Sequence, residues 1–293
     1  MHVFITGGTG LIGSAVVSEL IREGHRVTGL ARSDASSDAL AAAGATALRG
    51  SITDLDVVRA GAQHADGVIH LAFGHDFSTS EAITRAVGEE RAALEAIGAV
   101  LTGSDRPFVT VAGTPWIPGR RSTEADRIAI EGPFGGRFLS VEAVLALADN
   151  RVRSSAVRMP RTVHNEGKGG FAGLLTDIAR QSGVSGYPGD GTQRWPAVHA
   201  LDAAVLFRLA LESAPAGTVW HAVDDEGDMV SDIAAVIGRR LGLRVESVPL
   251  DHFGALGPIF AMDQPSTSEY TRRTLGWHPS HPSLLRDLEN VQP

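Results

Sequence analysis

Apolar positions in the first half of the chain alternate between two periods. Val3-Phe4-Ile5 is a short β-branched and aromatic run. The apolar residues after it, Ile12, Val16, Val17, Leu20 and Ile21, have the spacing of one helix face. The same exchange recurs downstream. Strands are predicted over 26–31, 46–48, 67–72, 107–111 and 154–158, and helices over 36–43, about 80–101 and about 136–149. Gly24 stands where a C′ residue would end the first helix. The nearly unbroken apolar run 67–72 suits a strand buried on both faces. This alternation predicts an α/β fold, a doubly wound parallel sheet with helices on both faces.

After Pro160 glycine and proline become frequent and the periodic segments shorten. This predicts a dinucleotide-binding domain over 1–159, to which 197–222 return through a helix at 201–213 and a strand at 217–222. Residues 160–196 and 223–293 then form a smaller C-terminal lobe for substrate.

Composition narrows the function classes. A net charge of −8, with no basic cluster, argues against nucleic acid and anionic membrane as partners and leaves a small molecule. The chain has no cysteine, so disulfides, thiolate nucleophiles and cysteine-ligated zinc are excluded. His278 and His281 are separated by Pro279, which argues against a helical ligand pair, and no metal is expected. No apolar stretch reaches the ~20 residues of a membrane helix. No basic leader precedes the first strand, and a cytoplasmic location is expected. Oligomeric state stays open, with a homodimer one alternative.

The glycines at 7, 8, 10 and 13 lie between a predicted strand and a predicted helix. In that context, bare backbone lets a pyrophosphate approach the unpaired N–H groups and positive dipole end of a helix. Gly7, Thr9, Gly10, Leu11, Ile12 and Gly13 are the residues expected to line it. The second strand ends in Ala31-Arg32-Ser33, and its first acid is Asp34. An arginine and a serine there suit the 2′-phosphate of NADP; an acid would suit the ribose hydroxyl of NAD, which stays the alternative. Asp54, after the third strand, is placed for the adenine amino group or for a helix N-cap. Leu71, Ala72 and Phe73, at the end of the fourth strand, should flank the cofactor.

Taken together, these features resemble the extended and atypical short-chain dehydrogenase/reductases of NAD-dependent epimerase/dehydratase type. The resemblance runs through the glycine turn, Arg32, Asp54, His70-Leu-Ala72, Arg158-Met-Pro160, Gly189 to Arg194, and His199 with Asp202. It implies a Rossmann-type fold. It also implies a nicotinamide-facing segment at Val163-His164-Asn165, and a phosphate-meeting arginine at Arg194. One part is missing. The family's proton donor is the tyrosine of Tyr-x-x-x-Lys, but Tyr187 and Tyr270 are the only tyrosines, Lys168 is the only lysine, and they form no such pair. Aligning on Glu142 puts Phe134 at the tyrosine position and Phe138 at the lysine position, on a face continued by Val141 and Leu145. That face reads as core or as an apolar wall for substrate.

A proton donor must therefore come from elsewhere. His75, with Asp76 as its neighbour, follows the fourth strand; Thr114 follows the fifth; Tyr187 lies in the predicted lobe. Arg194 and Trp195 are candidate substrate contacts, and Trp195 with Phe73, Phe77 and Trp116 suggests an apolar or ring-shaped substrate. The expected function is an NADP-dependent reductase with an unconventional proton donor. A non-redox isomerase, dehydratase or cyclase, and a catalytically silent NADP sensor, remain the alternatives.

Overall fold

The computed structural model describes residues 1–74, 79–128 and 135–292. It divides into two compact units: Met1–Ala112, Ile128–Arg158 and Ala204–Trp220 form the first, and Gly113–Arg127, Met159–Ala203 and His221–Pro293 the second. The segment returning to the first unit is thus shorter than the expected 197–222, and the stretch after the fifth strand joins the second unit.

The first unit is built on strands β1 (His2–Thr6), β2 (Arg26–Ala31), β3 (Thr46–Arg49), β4 (Gly67–His70), β5 (Pro107–Gly113) and β6 (Arg153–Met159). With β10 (Thr218–His221) they form a seven-stranded sheet of order β10-β6-β5-β4-β1-β2-β3. The registers of β1 with β2, β1 with β4, β2 with β3 and β4 with β5 are all parallel. Five helices alternate with these strands: α1 (Leu11–Arg22), α2 (Asp34–Ala42), α3 (Leu55–Gln63), α4 (Ser80–Leu101) and α5 (Gly135–Ala146).

Strand alternation sends successive side chains to opposite faces. Phe4, Leu30, Val68 and Phe108 pack on one face with Val58 and Ala62 of α3, Leu94, Ile97 and Leu101 of α4, and Val144 of α5. On the other face Gly29 lies against Leu40 of α2. Strand order reverses at β1: β2 lies on one side of it and β4 on the other. In such sheets that reversal opens a crevice at the carboxyl ends of the strands.

The second unit holds a three-stranded sheet of order β11-β9-β7 and the parallel pair β12-β8, from β7 (Thr162–His164), β8 (Val184–Pro188), β9 (Arg194–His199), β11 (Asp225–Met229) and β12 (Arg244–Val248). Helices α6 (Gly170–Ser182) and α8 (Val230–Leu241) enclose its core, and three short ones follow: α9 (Gly257–Phe260), α10 (Glu269–Leu275) and α11 (Leu284–Asp287). Helix α7 (Ala200–Ser213) begins in this unit and ends in the first. Trp195, Ala197, Ile233, Ile237, Phe253, Phe260 and Leu284 form one buried cluster. Helices of 13 and 12 residues in α6 and α8 exceed the short elements expected after Pro160.

Candidate functional site

In the first unit, the turn between β1 and α1 is held by sterics that only glycine meets at two points. Gly7 has φ +73°, and a Cβ there would lie 2.7 Å from the amide nitrogen of Ala72. A Cβ on Gly13 would lie 2.0 Å from the carbonyl oxygen of Gly7. These contacts press the turn against the end of β4 and against the first turn of α1. Gly10 differs: it is exposed, and a Cβ there would come no nearer than 3.6 Å to another atom. It is the N-cap of α1, and no side chain caps the helix. The first amides of a 12-residue helix are therefore left for an external acceptor.

Beyond β2, Arg32 is exposed and has no ion-pair partner among the described residues. Asp34 faces Arg49, with an N–O distance of 2.9 Å. Ser33 is the N-cap of α2, its hydroxyl accepting the Ser36 N–H at 3.2 Å, so it fixes the backbone just after Arg32. Asp54 stands at the N-cap position of α3 without capping it; its Oδ2 accepts the Ser51 N–H at 2.7 Å.

At the end of β4 the turn meets a buried polar cluster. The Leu71 N–H donates to the Thr6 carbonyl at 3.1 Å, and the Ala72 N–H to Thr6 Oγ1 at 3.4 Å. Thr6 Oγ1 also sits 2.9 Å from Nδ1 of His70. Burial, reinforced by the charge of Arg137, pushes His70 down to about 3, so this imidazole is neutral near pH 7. Arg137 of α5 places its guanidinium 4.1 Å from the centre of the Phe73 ring. Its Nε donates to both carboxylate oxygens of Glu90 of α4 at 3.0 Å each. Burial pushes Glu90 up to about 7 against the pull of Arg137. Neither Glu90 nor Arg137 was among the candidates read from the sequence. A signal existed: Glu90 interrupts the buried stripe of Ala86, Val87, Ala93, Leu94 and Ile97.

The second unit corrects several expectations. Trp195 is 0 % exposed, packed against Phe260 with ring centres 5.0 Å apart, so it is core and not a substrate contact. Arg194 is committed to Asp263, with Nε to Oδ1 at 3.0 Å and Nη2 to Oδ2 at 2.7 Å; its guanidinium is not a free phosphate site. His164 is buried rather than presented to a cofactor, its Nδ1 lying 2.9 Å from Asp287 Oδ2, and Val163 beside it on β7 is buried too. Burial would push Asp287 up, but the Gly167 N–H and His164 more than offset it, and its carboxyl lies below the usual range.

Thr114 is buried: its carbonyl accepts from Gln264 Nε2 at 2.7 Å, and its hydroxyl oxygen accepts from the same nitrogen at 3.4 Å. Tyr187 of β8 is partly buried against the second core. Trp116 stays half exposed, its Nε1 donating to the Asp263 carbonyl at 3.0 Å. Phe138 is partly exposed on α5. The candidates His75, Asp76 and Phe134, and Phe77 with them, lie outside the described residues.

His199 accepts the Leu201 N–H on Nδ1 at 3.3 Å, tying β9 to α7, and stacks on His281 at 4.9 Å. His281 Nδ1 lies 2.8 Å from Asp202 Oδ1. His164, His199 and Asp287 offer donor atoms within 4.8 Å of one another. A zinc ion with ligands at about 2.0–2.2 Å needs a tighter set than that limit guarantees, and Asp287 is already engaged with His164. As it stands, the group is a buried hydrogen-bonded support for β7 and β9.

Comparison with known proteins bears on the family and the fold. The model of the NAD dependent epimerase/dehydratase family matches residues 3–222. An uncharacterised protein of Schizosaccharomyces pombe is 41 % identical over 292 residues, covering 98 % of each chain. A 2-alkyl-3-oxoalkanoate reductase of Stenotrophomonas maltophilia is 28 % identical over 258 residues, covering 81 % of this chain and 76 % of its own. The fold is also that of DesIV, a dTDP-glucose 4,6-dehydratase of Streptomyces venezuelae with NAD and TYD bound: TM-score 0.79, 18 % identity, coverage 99 % of this chain and 95 % of that one.

Proposed function

The chain belongs to the NAD dependent epimerase/dehydratase family, and on that premise we propose that it is an NADP-dependent oxidoreductase reducing a small, apolar or cyclic organic substrate. The observation that carries the reading is the uncapped first turn of α1 behind an open Gly10. Its free amides fit a pyrophosphate, and the tight contacts of Gly7 and Gly13 hold them in place. Exposed Arg32, with Ser33 capping the next helix, supports the 2′-phosphate of NADP over the bare ribose of NAD. Similarity to a 2-alkyl-3-oxoalkanoate reductase favours reduction over epimerisation.

When bound, the nicotinamide supplies hydride transfer. The chain's own part is placement and proton supply. His70 stays neutral beside the turn and adds no charge that would repel or attract the ligand. The described face of α5 offers Phe138, Val141 and Leu145 and no phenol, so the proton for a developing alkoxide comes from a group other than a tyrosine of this helix. Half-exposed Trp116 supports an apolar substrate.

Titration of the purified protein with NADPH and NADH tests this. NADPH is expected to bind more tightly, and Arg32→Ala to weaken NADPH about ten- to a hundredfold more than NADH, the worth of a charge-assisted hydrogen bond. Equal weakening would move the assignment to NAD. Binding of neither would overturn it.

A further inference from the structure

The cluster under Phe73 contains a cation, Arg137, whose two Nη groups are unused among the described residues. An arginine facing a carboxylate usually engages it with two nitrogens. Arg137 spends only Nε on Glu90, giving both oxygens the same donor at 3.0 Å. Its two Nη groups have no hydrogen-bond partner among the described residues, although the side chain is only 22 % exposed. Two contacts hold the group: Glu90 of α4 engages Nε, and the guanidinium carbon lies over the Phe73 ring, 4.1 Å from its centre. The Glu90 carboxyl, raised by burial to about 7, cancels the charge of Arg137 incompletely near neutrality.

Strand order says which part of a ligand this cation can serve. Arg32 and Asp54 follow β2 and β3, on one side of β1; Phe73 follows β4, on the other. A dinucleotide with its pyrophosphate on α1 and its adenosine toward Arg32 must run its other half past the end of β4. The Gly7 turn lies against Leu71 and Ala72, and the next residue is the ring on which Arg137 is stacked.

We propose that Arg137 binds the ribose of the dinucleotide's second half, its two Nη groups donating to the paired hydroxyls. This rests on the dinucleotide reading of the glycine turn. The chain thereby sets a clamped guanidinium, held by Glu90 of α4 and by Phe73, at the nicotinamide side of the site.

The test compares NADPH with 2′,5′-ADP, which carries the adenine half alone, by titration against the wild type, Arg137→Gln and Glu90→Gln. Arg137→Gln is expected to weaken NADPH about tenfold or more while leaving 2′,5′-ADP within about twofold. That unchanged binding also serves as evidence that the variant is folded. Glu90→Gln keeps an acceptor for Nε and is expected to weaken NADPH by a smaller factor, again without touching 2′,5′-ADP. Unchanged NADPH affinity in Arg137→Gln would overturn the assignment. An equal loss for both ligands would do so too, because Arg137 would then shape the whole site and not one half. Failure of the dinucleotide reading itself would show in the wild type, as no binding of either ligand, and would remove this assignment with it.

Discussion

Glu90 is a carboxyl on a helix face otherwise given to apolar residues such as Ala86, Val87, Leu94 and Ile97, and its environment makes it a pH-dependent contributor to stability. Burial raises it from 4.5 to about 7, so between those values the folded chain keeps a proton that the unfolded chain releases. Folding stability contributed by this residue is therefore full below about 4.5 and declines as pH rises to about 7. Asp228, raised to about 7 by burial and by Asp225 and Asp232, acts in the same direction. His70, lowered to about 3, acts in the opposite one, losing stability as pH falls below 6.5. The informative quantity is thus a difference: urea unfolding at pH 5 and pH 8 should show a smaller loss of stability on raising pH in Glu90→Gln than in the wild type. An identical loss in the two proteins would contradict the burial argument.

Gly13 could be read from the sequence because the backbone it meets, at Gly7 and Gly8, is within the same strand–turn–helix; the positive φ of Gly7 was legible in the same way, but its close approach to Ala72 at the end of β4 was not. Arg194 and His164 could not be read in this way. Their partners Asp263 and Asp287 lie 69 and 123 positions away, and no local pattern announces an ion pair formed by tertiary folding.

At the scale of elements, strand β2 and helix α4 fall where their hydrophobic periods place them, over 26–31 and 80–101. Helix α3 (Leu55–Gln63) is the exception in the first unit: Val58 and Ala62 give it a buried face, but the sequence offered only Asp54 as a cap for it and no helix bounds. The stripe Val230, Ile233, Ala234 and Ile237 of α8 has the helical period too, although it lies in a half of the chain rich in glycine and proline. The union of α1 with its turn gives a sharp contrast between two glycines of one motif. Gly13→Ala places a methyl 2.0 Å from a backbone oxygen, so α1 must shift; a destabilisation of about 1–3 kcal/mol and loss of dinucleotide binding are expected. Gly10→Ala meets nothing closer than 3.6 Å and keeps a φ of −76° that alanine adopts freely, so its melting temperature should hold while NADPH binding weakens. Thermal melts and NADPH titration of the two variants separate fold from site, and a melting temperature that falls equally in both would refute the distinction.

For the whole molecule, the chain passes repeatedly between its two units. The family match ends at 222, yet Trp195 and Ala197 of β9 share their core with Ile233, Phe253, Phe260 and Leu284 from beyond it. A piece ending at Ala222 is therefore expected to keep a protease-resistant first unit and to lose residues 159–203 to limited proteolysis, which mass spectrometry of the fragments would establish. Survival of that segment would show that its core closes without the C-terminal residues.

The same itinerary bears on how the protein is made. Strand β6 leaves the ribosome well before β10, its outer neighbour in the sheet, because β7, α6, β8, β9 and α7 are synthesised between them. At about 5–20 residues per second, the nascent chain carries β6 for several seconds with one backbone edge unpaired. An edge of that kind is a template for pairing with another chain. Heterologous expression should therefore be most prone to aggregation while this gap is being translated, and slower growth temperatures or added holdase chaperones would act on that interval rather than on the finished fold.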